Sequence, residues 1–146
     1  DGAAHFATDP AAPLTRAALE AMIVTALAGR AIDDADGVAD VGSASDLAKA
    51  TTLLAGLHAS FGLGDTLLAV GGPDDVGDML RFDPQLRATV EADLQRLYAE
   101  AQRLVAEHGP AIDLVAAALA RRRFLTGDEA RALIRRTRRR PAGRAS

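Results

Sequence analysis

Residues 83–110 read DPQLRATVEADLQRLYAEAQRLVAEHGP, and this stretch decides the fold class. Asp83 followed by Pro84 is a helix start. The carboxylate accepts from exposed first-turn amides, and proline's missing N–H is no loss there. Leu86, Val90, Leu94, Leu97, Tyr98, Ala101, Leu104 and Val105 then recur at steps of three and four, the spacing of one helix face. The pattern predicts a helix to about Glu107, ended by Gly109-Pro110, and a further helix from Ala111 to about Arg122.

The same periodicity extends in both directions. Upstream, Thr15 caps a helix to about Ile32, with Leu19, Met22, Ile23, Ala26, Leu27 and Ala31 on its inner face. Residues 33–44 read as an acidic loop. A helix from Ser45 to Phe61 carries Leu47, Ala50, Leu54, Leu57 and Phe61, and Gly62 stops it. Residues 63–82 contain four glycines and Pro73, which suits a loop with at most one short helix near Asp65 to Val70. Downstream, Thr126 and Glu129 form a capping box for a last helix to about Arg138. Residues 1–14 read as an extended segment, with Ala3 to Ala7 a short strand. The expected architecture is all-α, about five helices after a short extended N-terminal segment, with the body over 1–140 and a flexible basic tail over 141–146.

Composition agrees. Of 146 residues 33 are alanine, the best intrinsic helix former. The absence of cysteine excludes disulfides, thiolate metal sites and a cysteine nucleophile. No apolar run approaches the ~18 residues of a membrane span. The first residues, Asp1-Gly2-Ala3-Ala4-His5, read neither as a signal peptide nor as a natural beginning, so a piece of a longer chain is expected.

The net charge of −3 hides an asymmetry: residues 1–120 carry −11 and residues 121–146 carry +8. A basic tail can attract nucleic acid, anionic lipid or the acidic body of another subunit. No aromatic residue interleaves with Arg135 to Arg144, so a stacking platform for single strands is lacking. The expectation is no nucleic-acid partner and no membrane contact.

Few residues suggest chemistry by pattern alone. No Gly-x-Ser-x-Gly elbow is present, and Gly71-Gly72-Pro73 lacks the lysine of a phosphate loop. His5, His58 and His108 are far apart and form no His-x-x-x-His pair. His58 reads as a boundary residue beside its helix's apolar stripe, and His108 as a helix-terminal cation. Asp33, Asp34, Asp36 and Asp40 lack calcium-loop spacing and read as solvated. Asp46, beside Ser45 at a helix start, reads locally as capping and dipole complementation.

Several segments together resemble the FtsH-type ATP-dependent zinc metalloproteases. Gly42-Ser43-Ala44-Ser45-Asp46-Leu47-Ala48-Lys49-Ala50-Thr51 is similar to that family's Gly-Ala-x-Asn-Asp-Leu-x-x-Ala-Thr segment. Ala28-Gly29-Arg30-Ala31-Ile32-Asp33-Asp34 resembles its Gly-Gly-Arg-Ala-Ala-Glu-Glu, Leu14-Thr15-Arg16 its Leu-Thr-Arg, and Phe61-Gly62-Leu63-Gly64 its Tyr/Phe-Gly-Met-Ser. Leu114 to Glu129 resembles the closing helices of the peptidase domain. The matches keep the family's order over about residues 2–136.

The resemblance implies the C-terminal part of a peptidase domain, in a parent that unfolds and degrades proteins as a homo-hexamer using ATP and zinc. It implies that Asp46 is the third protein ligand to zinc. It implies that Ala4, His5 and Phe6 lie on an edge strand that pairs with substrate backbone. The chain departs from the family in lacking His-Glu-x-x-His, so the general base and two ligands are expected upstream of Asp1. Ser45 stands where the family has Asn. The piece alone is expected to be inactive and to hold no cofactor tightly. The alternative is a non-catalytic helical interaction or oligomerisation module descended from that fold. The implied location is cytoplasmic, including the cytoplasmic face of a bacterial inner membrane.

Overall fold

The computed structural model describes residues 14–37, 42–60 and 71–138. Among these residues there are five α-helices and no strand: α1 (Arg16–Asp36), α2 (Gly42–Ala59), α3 (Val76–Phe82), α4 (Pro84–Arg122) and α5 (Gly127–Arg138). The all-α expectation holds. The strand at Ala3 to Ala7 and the short helix near Asp65 to Val70 lie outside the described residues.

Capping chemistry sets most of the boundaries. Thr15 Oγ1 accepts from the Ala18 amide at 3.1 Å, and Asp83 Oδ1 accepts from the Gln85 and Leu86 amides at 2.9 Å each. At α5, Glu129 accepts from the Thr126 amide at 2.9 Å while Thr126 Oγ1 accepts from the Glu129 amide at 3.3 Å, the reciprocal pair anticipated from sequence. α1 ends later than its apolar spacing predicts. The helix continues through Asp33 and Asp34 to Gly37, whose φ of 70° places it in the left-handed region and whose amide bonds the carbonyls of Asp33 and Asp34. Asp33, Asp34 and Asp36 therefore form the last turn of a helix rather than a loop. Similarly, α2 begins at Gly42, so Ser45 and Asp46 are not its caps.

The larger correction concerns α4. It runs for 39 residues straight through Gly109-Pro110, where two helices were expected. At 1.5 Å per residue it is about 58 Å long. An interior proline removes one backbone hydrogen bond and crowds the preceding turn. Packing outweighs that cost, because continuing the helix buries Ala111 and Ala118. His108 accordingly lies inside a helix, not at its end. Replacing Pro110 by alanine restores the missing N–H at an exposed position. Thermal and urea unfolding should show a gain of about 2 kcal/mol; a loss would mean that the proline is conformationally required.

A second correction is the short helix α3. With a 3₁₀ turn at Pro73–Asp75 before it, α3 occupies part of the expected loop. Asp75 Oδ2 accepts from the Gly72 amide at 2.8 Å and holds that turn. The core forms where α1, α2 and α4 meet: Leu19, Ile23 and Leu27 from α1, Leu54 and Leu57 from α2, and Val90, Leu94 and Leu97 from α4, capped by Val76 of α3. Met22, expected inside, is half exposed. The C-terminal part of α4 extends past this core, and α5 folds back antiparallel along it. No helix among the described residues is long and apolar enough to cross a membrane.

Candidate functional site

Asp46 lies one turn inside α2, in line with the buried row of Ala50, Leu54 and Leu57 and one turn before it. Its side chain is 40% exposed, and among the described residues its polar partner is Lys49 Nζ at 3.2 Å, three residues along the same helix. This is a weak, solvent-screened tether. The carboxylate thus rides on a helix whose orientation the core fixes, while its oxygens stay accessible.

The rest of the implied site is not assembled here. Ala4, His5 and Phe6 lie outside the described residues. Among the described residues no three His, Asp or Glu side chains come together in a way that would hold a metal ion. A catalytic zinc takes three protein ligands, and the described residues bring one carboxylate. They do not by themselves fit a zinc site.

Beside Asp46, Leu47 and Thr51 form one wall of a groove of about 450 Å³ between α1, α2, α3 and α4. Leu27, Val90 and Leu94 make its floor, and Arg30, Arg87, Glu91 and Tyr98 stand around it. Arg87 is committed to the Leu80 carbonyl at 3.0 Å. The Tyr98 hydroxyl donates to Asp34 Oδ2, which Arg30 also approaches at 3.7 Å. Burial, together with the Asp34 carboxylate, pushes the Tyr98 phenol up, so it stays a proton donor.

A denser polar constellation joins the three main helices. His58 Nε2 of α2 lies 2.8 Å from Asp93 Oδ2 of α4. Arg96 bridges Asp93 Oδ1 at 2.9 Å and Glu20 Oε1 of α1 at 2.8 Å. Arg16 joins Glu20 at 3.1 Å and reaches toward Asp93 at 3.8 Å. Burial pushes the Asp93 carboxyl up, but hydrogen bonds with His58 and Arg96 outweigh it and hold the group below the ordinary carboxylate range. Glu20 is lowered too: against the cost of burial, Arg96 and Arg16 hold its charged form. Two carboxylates and two guanidiniums balance, so the cluster serves as an interhelical clamp. Only half of it was legible in the sequence. The spacing puts His58 at the edge of its stripe, but its partner lies 35 residues away. The available hint was the Asp93–Arg96 pair, flanking Leu94 and Leu97 of the core.

Comparison of the chain with family models, curated proteins and solved structures returns no match.

Proposed function

We propose that this chain is the C-terminal helical part of the peptidase domain of an ATP-dependent zinc metalloendopeptidase, inactive by itself, and that it lends Asp46 to a metal site completed by residues outside it. The observation that supports this reading is the placement of Asp46: an accessible carboxylate, tethered only by Lys49 among the described residues, on a helix oriented by a buried stripe. A charged carboxylate suits zinc, and a helix anchored in the core limits its motion. On this reading the parent is a homo-hexamer that uses ATP and zinc and acts on unfolded protein.

The test uses the chain joined to its natural upstream sequence. Asp46→Asn should lower ATP-dependent casein hydrolysis by about 100-fold, the scale seen when a metal's surroundings are altered. Zinc content measured by elemental analysis should fall in parallel. Retention of both zinc and turnover in Asp46→Asn would remove the residue from the site and the reading with it.

A specific observation favours a second reading, a non-catalytic interaction module. Between α1, the C-terminal half of α4 and α5 lies an open apolar groove of about 630 Å³. Ala28, Ile32, Leu104, Val115, Leu119 and Ile134 line it. Grooves of this kind receive partner side chains. The upstream sequence discriminates: the first reading requires a His-Glu-x-x-His helix there, and the second does not.

A further inference from the structure

The α4–α5 hairpin ends in a tip that combines cationic and apolar side chains. Arg121 and Arg122 close α4. Arg123 then takes a left-handed conformation with φ of 60° that turns the chain, and Phe124 follows before the Thr126 cap. Because α5 returns along α4, with Glu129 beside Arg122 and Ile134 beside Val115 and Leu119, residues 123–126 form the outermost loop of the hairpin. Phe124 is 70% exposed there, and Leu119 and Ile134 are partly exposed behind it. Arg121, Arg122, Arg123, Arg131, Arg135 and Arg136 are all exposed. Two of these are neutralised locally: Arg122 pairs with Glu129 and Arg131 with Asp128, each at 2.9 Å. For Arg121, Arg123, Arg135 and Arg136 there is no ion pair among the described residues.

This arrangement carries a cost in water, since a large aromatic ring stands unpacked among like charges. An anionic bilayer relieves both parts of it. Acidic headgroups attract the arginines, and the headgroup–acyl boundary takes up the ring. Nucleic acid would relieve only the first. A phosphate backbone gains nothing from Leu119 or Ile134, and single strands are held on several aromatic platforms, whereas the tip has one. The acidic body of a second copy also attracts arginines, but a convex tip needs a matching hollow in a protein, while a fluid interface conforms to it.

We infer that the α4–α5 tip is a peripheral docking surface for an anionic lipid bilayer, with Phe124 inserted at the headgroup–acyl boundary and Arg121 and Arg123 on lipid phosphates. Arg135 and Arg136, further along α5, add longer-range attraction, and the tip enters without any helix spanning the membrane. The inference is independent of the peptidase reading, and it departs from the sequence expectation of no membrane contact. Phe82 supplies an internal control. It is also exposed, at 76%, but at the far end of α4, where Asp78 and Asp83 outnumber the adjacent Arg81.

The test is sedimentation of the 146-residue chain with large unilamellar vesicles. The chain should bind vesicles containing about a third phosphatidylserine and not vesicles of phosphatidylcholine alone. The double variant Arg121→Gln/Arg123→Gln should weaken binding by about 25-fold, at roughly fivefold per arginine. Phe124→Ser should weaken it by about tenfold, and Phe82→Ser should leave it unchanged. All of these positions are exposed, and circular dichroism checks that each variant is folded. The proposal is overturned by equal binding to neutral vesicles, by no binding to either, or by equal effects of Phe82→Ser and Phe124→Ser. A fluorescein-labelled DNA duplex bound more tightly than the acidic vesicles at the same salt would also overturn it and assign the arginines to nucleic acid.

Discussion

Leu54→Ala is expected to lower the free energy of unfolding by about 4 kcal/mol, toward the upper end of the range for buried leucine truncations. Leu54 is fully buried, in the core formed by α1, α2 and α4. Its neighbours belong to separate helices held by their own contacts, so they cannot collapse together into the space it leaves. Both the transfer cost and the cavity cost are therefore felt. A domain this size has about 5–15 kcal/mol in total, so the change removes a large share. Urea titration followed by circular dichroism checks it, with an unchanged slope showing that the unfolded state is not altered. Met22→Ala is the comparison. Half exposed on the outer side of α1, Met22 should cost about 1 kcal/mol or less. Equal costs for the two would mean that the packing described around Leu54 is wrong.

The second large effect is expected at the interhelical clamp. Asp93→Asn preserves shape but removes a negative charge that faces His58 and Arg96 at hydrogen-bond distance and Arg16 slightly farther off. Breaking one member of such a partly buried group leaves cations without their counter-charge, at a cost of about 3 kcal/mol. The pH dependence gives a separate check. Asp93 and Glu20 are held below their ordinary carboxylate values in the folded chain. On acidification, the unfolded chain therefore binds protons first. Their contribution is complete above the ordinary carboxylate range near pH 4 and is lost as pH falls through it toward the lowered folded-state values. Wild-type stability should decline along that acid limb. In Asp93→Asn the limb should be shallower, with Glu20 supplying the remainder. An acid limb of the same steepness in both proteins would show that Asp93 is not paired as described.

How far the sequence reading reached depended on how local the deciding interaction was. Asp83-Pro84 and the Thr126–Glu129 box act over three residues, and α4 and α5 start where these signals predict. The apolar stripes of Leu19, Ile23 and Leu27, of Leu54 and Leu57, and of Val90, Leu94 and Leu97 announce buried faces by their spacing alone. Gly109-Pro110 misled because its local cost is real; the compensation comes from Ala111 and Ala118 packing in the continued helix. The end of α1 misled for the opposite reason. Asp33, Asp34 and Asp36 add no apolar periodicity, and the stop comes from Gly37. At the candidate site, Asp46 was legible as a residue of interest through resemblance, but its one-turn offset from the helix start was not.

Amphipathic spacing and caps are written within a few neighbouring residues, so the all-helical class, the inner faces and the basic C-terminal end can be read directly from the chain. Contacts between distant segments depend on how the helices cross. The His58–Asp93 pair, the groove beside Leu47, the antiparallel return of α5 and the outward position of Phe124 exist only once those crossings are set. Burial of the shared Leu, Ile and Val surface sets them, because that surface can leave water in only a few mutual arrangements.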